Sequence, residues 1–306
     1  MTKKVAVGFD YSHNNKLTIE NNAFTDLIQY LFDSDFKLGK IEAGITYEKL
    51  NAYDIFIIGM PHLGKLDDYE INDLVKYVNE GGSLLIINDG GGDYDNKNNL
   101  SELTKNFGII FNSDRLFDNK NFSKDNSHPL IKNFRSHYIT REIHEIIHSN
   151  GCSISIDDAF TDENNDVKAI AYSSEKTSWH RIFNGDSWID ESEQTLAVIG
   201  VAHYGIGKVI ALGNLSLFSS LDTSYGIRAA DNFKLIANMF SWLLNKANLE
   251  DKKIKPIFLT IAIEQDLFYW IKDMVKEGKW KNLEELINFT LKNTKNKINE
   301  GNDNID

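Results

Sequence analysis

The sequence predicts an α/β protein: a doubly wound, mostly parallel sheet over residues 1–246, then a small strand–helix–helix module over 254–296. Three observations carry this. Residues 53–59 (YDIFIIG) and 83–87 (SLLII) are continuous apolar runs closed by loops rich in Gly, Pro and Asn, as in strands buried on both faces. Such runs alternate with helix-period stretches, the pattern of βαβ units. The composition then shifts: residues 252–297 hold ten Lys against six Asp or Glu, whereas 1–251 carry a net charge of −13.

Residues 4–9 read as the first strand, ending in the polar loop 10–15. A helix over 21–32 follows, with Phe24, Leu27, Ile28 and Leu31 on one face. Residues 38–45 form a short second strand and 53–59 the third. Residues 67–79 form a helix with Ile71, Leu74, Val75 and Val78 toward the sheet, stopped at Glu80-Gly81-Gly82. The central strand 83–87 ends in the loop Asn88-Asp89-Gly90-Gly91-Gly92-Asp93, whose tight backbone needs glycine. A helix over 99–107 comes next. The polar stretch 111–150 contains one helix-period segment, 139–147. Strands are expected at 167–172, 195–203 and 208–212, the last two joined by a hairpin-like turn at 204–207. A helix over 230–244, with Phe233, Ile236, Ala237, Phe240 and Leu244 inward, closes the domain before a charged linker at 247–253.

The composition, 42% hydrophobic and 25% charged, is that of an ordinary soluble protein. No run approaches the roughly 18 apolar residues of a membrane span, and the apolar part of the N-terminus is too short for a signal peptide. The single cysteine, Cys152, excludes an internal disulfide framework and makes the cytoplasm the expected location. The net charge of −12 opposes general nucleic-acid affinity.

Ligands of open α/β sheets sit beyond the carboxyl ends of the strands. The loops at that edge carry Asp10, His13 and Asn14, then His62, then Asp89, Gly90 and Asp93, then Asn214 and Ser216. Such a set suits a polar ligand or a cation held through oxygens and imidazole. The plainer account is a group of solvated, turn-forming residues.

The order YDIFIIGMPHLG, helix, EGGSLLIINDGGGD, then YGIGKVIALGNLSLFSS and a helix ending in SWLL resembles the type 1 glutamine-amidotransferase-like fold. Within it the chain is most similar to the GIFT-type domains of an intraflagellar-transport subunit and of many prokaryotic proteins; His128-Pro129 and Ser149-Asn150-Gly151 add to the likeness. In catalytic members a cysteine follows the strand that is here 84–87, its thiolate activated by a histidine. Here the turn reads Asn88-Asp89-Gly90, and Cys152 lies far along the chain. The resemblance therefore implies a non-catalytic binding or scaffolding unit with no cofactor.

His144-Glu145-Ile146-Ile147-His148 matches H-E-x-x-H, which on a helix places two histidines one turn apart to hold zinc, with the glutamate as general base. A zinc hydrolase is one alternative. The competing account is an amphipathic helix with Ile139, Ile143, Ile146 and Ile147 inward and the histidines solvated; Ser149-Asn150-Gly151 ends that helix directly after His148.

In the tail, residues 257–263 alternate as a strand, 265–276 form a helix, and Asn282 caps a second helix with Glu285 completing a capping-box spacing. One strand and two helices cannot make a stable core alone. The stretch resembles the ribbon-helix-helix module, in which two chains pair their strands, and this implies a homodimer through 254–296. Members of that family often set the ribbon in the DNA major groove. The outward strand residues here are Phe258, Thr260 and Ala262, of which only Thr260 can hydrogen-bond a base. Lys279, Lys281 and the free amides after Asn282 suit a phosphate. Dimerisation alone is the leading account, and a DNA-binding regulator with a ligand-sensing body is the other alternative. An acidic tail, 297–306, follows.

Overall fold

A computed structural model describes residues 4–161, 165–192 and 194–244 and, farther on, 265–276 with Lys279, Leu286 and Thr290. The chain divides into two units, Met1–Asn248 and Leu249–Asp306.

The first unit is built on β4 (Ser83–Ile87), all five residues of which are buried. Before it come β1 (Ala6–Asp10), α1 (Thr25–Asp33), β2 (Lys37–Ile41), α2 (Tyr47–Leu50), β3 (Ile55–Gly59) and α3 (Asp68–Asn79). After it come α4 (Gly92–Asn96), α5 (Leu100–Thr104), β5 (Ile109–Phe111), β6 (Asp114–Asp118), β7 (Leu130–Ile131), β8 (Asn133–Phe134), β9 (Ile146–Ile147), β10 (Ile154–Ile156), β11 (Asp166–Tyr172), β12 (Ser178–Phe183), β13 (Trp188–Glu191), β14 (Ala197–Tyr204), β15 (Gly207–Leu212) and α6 (Asn232–Leu244). The main sheet runs β2-β1-β3-β4-β15-β14-β10-β5, with β11 beside β14 and β8 beside β11. Its first five strands are parallel. From β14 onward the pairing is antiparallel.

Alternation of side chains along the strands makes two apolar layers. Ile55, Ile57, Leu85, Ile87, Ile210 and Leu212 pack with Leu27, Leu31, Leu235, Ile236 and Phe240 on the face covered by α1 and α6. Phe56, Ile58, Leu84, Ile86, Val209 and Ala211 pack with Ile71, Leu74, Val78, Leu100 and Leu103 on the face covered by α3 and α5. Helices on both faces of a largely parallel sheet are the doubly wound architecture expected. The last turn of α6 is anchored: Lys208 Nζ donates to Trp242 O (2.8 Å) and Ser83 Oγ to Leu243 O (2.8 Å). A smaller antiparallel sheet, β13-β12-β6, and the pair β7-β9 sit apart from the main sheet's ladder.

Three expectations are corrected. The helix expected over 139–147 does not form, because Ile146 and Ile147 are both buried and pair in β9 with Ile131 and Leu130. Backbone on either side is committed as well: His144 N and Glu145 N donate to Asp231 Oδ2 (2.7 and 3.2 Å), and His148 N to Pro129 O (2.9 Å). Phe233 is not inward. It is 47% exposed on the first turn of α6, edge-on to Tyr30 at 5.3 Å, while Leu235, Ile236, Met239 and Phe240 take the inner stripe. The second strand stops at Ile41 rather than 45.

In the second unit α7 spans Gln265–Lys276, with Leu267, Tyr269 and Trp270 exposed. The strand expected at 257–263, including Phe258, Thr260 and Ala262, lies outside the described residues. So do Lys281 and the capping position Asn282 of the next helix; Lys279 is exposed.

Candidate functional site

Parallel strands bring their C-terminal loops to one edge, and the side chains there form two hydrogen-bonded groups. The first starts at the end of β1. Asp10, 1% exposed, accepts from Ser12 N (2.8 Å), Asn15 Nδ2 (2.7 Å) and His13 Nδ1 (2.8 Å). The other ring nitrogen of His13 lies 2.9 Å from Glu70 Oε2. Glu70 is itself held by Ile45 N (2.8 Å) and Asp67 N (2.9 Å). Burial works to lower the His13 pKa, but the hydrogen bonds and charges of Asp10 and Glu70 raise it overall. Both ring nitrogens can donate only in the imidazolium form, so Asp10–His13–Glu70 is a charged clasp between the β1 loop and α3.

The second group surrounds the glycine loop after β4. Asn88, fully buried, accepts through Oδ1 from Asp89 N, Asn96 Nδ2 and Asn98 Nδ2 (3.0, 3.2 and 3.3 Å) and donates to Asp93 Oδ1 (2.8 Å). Asp93 Oδ2 accepts from Ser101 N (2.9 Å) at the start of α5, and burial raises its pKa. Gly90 sits where a Cβ would lie 2.1 Å from Asn150 O, and Gly92, at φ +53°, where one would lie 2.4 Å from Asn112 O. Only glycine fits either place.

A third loop, after β3, joins the two groups. Asn14 Nδ2 donates to His62 O (2.8 Å), and Asn98 Nδ2 to Pro61 O (2.9 Å). Met60 and Leu63 take positive φ here (63° and 59°), as does Asn14 (49°).

Asp10 and His13 are thus brought together, Asn14 meets His62, and Asp89, Gly90 and Asp93 share the asparagine network. Asn214 and Ser216 are not drawn into either group. Asn214 donates to Ile147 O (3.0 Å) and caps the turn Leu215–Phe218, which contains Ser216. The sequence reading missed Asn15, Glu70, Asn88, Asn96 and Asn98. Only Glu70 carried a local signal, three residues after Asp67 at a helix start, and that spacing reads as a capping box.

Among the described residues four buried side-chain polar atoms have no partner, and three of them, Asn15 Oδ1, His62 Nδ1 and Asp89 Oδ1, lie on these adjoining loops. Burial pushes the Asp89 carboxyl up to about 7. Backbone hydrogen bonds from Gly90 and Leu215 and the charges of Lys16 and Arg115 pull the other way, while Oδ1 itself has no hydrogen-bond partner.

The histidines of the HEIIH motif are split. His144 is exposed, whereas His148 is 2% exposed, with Nε2 3.1 Å from Cys152 O. Burial lowers the His148 pKa to about 4. The one-turn spacing on which the zinc alternative rests is therefore missing. Among the described residues no group of three or more His, Cys, Asp or Glu is placed to hold a metal ion. Cys152 is fully buried, and burial raises its thiol pKa, so it is no thiolate nucleophile.

A doubly wound sheet with a glycine elbow after its central strand, and Asn88-Asp89 where a nucleophile would stand, defines the class: an amidotransferase-like fold without the amidotransferase cysteine. The family model described as the IFT52 GIFT domain matches residues 6–254. The chain belongs to that family. It is 24% identical over 272 residues to the intraflagellar transport protein 52 homolog of Mus musculus, a match covering 83% of this chain and 61% of that protein. Against the Homo sapiens homolog the figures are 25% over 262 residues, 81% and 57%. The chain thus spans about three fifths of the length of these relatives. The solved mmIFT52 N-terminal domain superposes with a TM-score of 0.64 at 20% identity, over 79% of this chain and 98% of that one. A cytoplasmic protein of Salmonella typhimurium gives 0.51 at 11%, over 78% and 98%. These two likenesses show the fold alone. No helix among the described residues is long and apolar enough to cross a membrane.

Proposed function

We propose that this chain is a non-catalytic binding and scaffolding unit. It engages a protein partner or polar ligand at the carboxyl edge of its sheet and pairs with a second copy through residues 254–296. The observation that carries the first part is the elbow itself. Asn88 and Asp93 spend their polar groups on each other and on neighbouring backbone, and Asp89 stands in place of a thiol. Relatives named for intraflagellar transport support a place in a multiprotein assembly. The second part is supported by α7, whose Leu267, Tyr269 and Trp270 are each about half exposed.

Sedimentation of the full chain beside one ending at Leu249 tests the pairing. A dimer that becomes a monomer on truncation is expected, and a full chain that stays monomeric at high concentration refutes it. Duplex DNA offered to the same two chains at low salt separates the regulator alternative: salt-sensitive binding that disappears with the tail is its signature.

The binding role is tested at the elbow. Asp89→Ala should leave the fold intact and weaken association with the partner recovered by the unmodified protein, whereas ammonia released from glutamine by purified protein would overturn the non-catalytic reading.

A further inference from the structure

The outer face of the sheet β13-β12-β6 is a surface that the carboxyl-edge role leaves unused. Residues directly opposed in an antiparallel pair share a face. Trp179 is opposed to Phe117, Arg181 to Arg115 and Asp190, and Phe183 to Trp188. All of these therefore project to one side, and none is buried. Leu116, Ser178 and His180 project to the other side and are buried.

The rings stack in pairs. Phe117 and Trp179 lie at 4.3 Å with planes 13° apart, and Tyr94, reaching in from α4, lies on Phe183 at 3.7 Å and 19°. Trp188 is tilted against Phe183 at 5.5 Å. Trp179 also borders an open cavity of about 350 Å³, with Asn119, Asp190 and Ser192 among its lining.

The charges of this face are spent on each other. Arg181 holds Asp190 through two hydrogen bonds (2.6 and 3.2 Å), and Arg115 holds Asp95 (2.7 Å). What the face has left is ring surface and donors. Among the described residues the Tyr94 hydroxyl, on a side chain 51% exposed, and the Trp188 indole N–H have no hydrogen-bond partner.

Its size limits the occupant. The three strands are four to six residues long, which gives a face of about 14 by 17 Å. That is about a third of the roughly 800 Å² that each side of a stable interface between folded proteins buries. About five residues of polyproline II helix span the same length.

A proline-rich segment supplies the complement on each count. Its backbone has no internal hydrogen bonds, so its carbonyls are open to donors; proline has no N–H that needs an acceptor; and its ring packs against aromatic side chains. We infer that this face docks a short, uncharged, proline-rich segment of a partner protein, its rings against the aromatic pairs and its carbonyls on Tyr94 and Trp188. The chain's own three prolines, Pro61, Pro129 and Pro256, are isolated from one another, so the segment belongs to another protein.

The test uses the full chain and decaproline, with a glycine–serine peptide of equal length as control. Calorimetry reads the affinity, and the Trp188 indole N–H resonance, identified by its loss in Trp188→Phe, reads the place. Saturable binding of decaproline, a shifted Trp188 resonance and no binding of the control are expected. Affinity should be the same at low and high salt, because no free charge takes part. Tyr94→Phe and Trp188→Phe each keep the ring and lose one donor, and each should weaken binding about threefold or more. No binding of decaproline at millimolar concentration overturns the inference. So does binding that falls steeply with salt, or that keeps full strength in both variants. Binding that disappears with Asp89→Ala would place the peptide at the elbow and overturn it as well.

Discussion

His148 offers a stability prediction that can be worked through. It is 2% exposed, and burial sets its pKa at about 4 against an ordinary 6.5. Because the folded pKa is lowered, the unfolded chain takes up a proton that the folded chain refuses. Stability is therefore at its full value above pH 6.5 and falls as the pH drops toward 4. Between pH 7 and pH 4.5 this single group costs about 2.5 kcal/mol. His137, also lowered to about 4, adds a smaller loss of the same sign, discounted because it is only half-buried. The perturbation is His148→Gln, which gives up titration while keeping a polar group beside Cys152 O. At pH 7 the variant should be less stable by about 1–3 kcal/mol, from the lost fit and hydrogen bond. Its stability should then fall by about 2.5 kcal/mol less than that of the unmodified protein on going to pH 4.5. Urea unfolding of both chains at the two pH values reads this directly. Equal losses for both would show that His148 is not held neutral in the fold.

Three further outcomes are expected. Glu70→Gln should cost about 3 kcal/mol, because it breaks a buried charged pair. The His13 pKa, read by NMR, should fall; since that pKa is raised in the fold, its stabilising effect is present below pH 6.5 and lost as pH rises through the folded value, so the penalty should shrink at high pH. Gly92→Ala should destabilise by about 2 kcal/mol or more, from positive φ and collision with Asn112 O, visible as a lower melting temperature; an unchanged one would contradict the loop geometry. Cys152 should resist a thiol reagent in the native protein and react fully in urea, and rapid native labelling would show that the thiol is not enclosed.

What could be read from the sequence was what local pattern decides. The run Ser83–Ile87 has no polar residue after its first, so a strand buried on both faces was its one consistent conformation. The helix Gln265–Lys276 was equally plain, with apolar residues at helical spacing. The segment 139–147 misled for the same reason. Ile139, Ile143, Ile146 and Ile147 lie at helical intervals, but the partner that decides their conformation, Leu130–Ile131, is distant in sequence. The candidate site divides in the same manner. Asp10, His13 and Asp89 were visible as polar loop residues after strands. Glu70 was hidden on a helix facing them, and the amides of Asn96 and Asn98 gained meaning only when their loop folded back onto Asn88.

The anchoring of α6 bears on how the first unit would carry tension. The carbonyls of Trp242 and Leu243 are gripped by Lys208 and Ser83, which are direct neighbours on β15 and β4. A pull on the chain beyond Leu244 is therefore delivered to the middle of the main sheet and not to an edge strand. Peeling β2 or β5 away one hydrogen bond at a time is not on offer to such a pull. Such a pull must first break the two hydrogen bonds that hold the last turn of α6 to strands bonded on both sides. The carboxyl end of α6 is thus fastened at the two strands farthest from either edge of the main sheet's path.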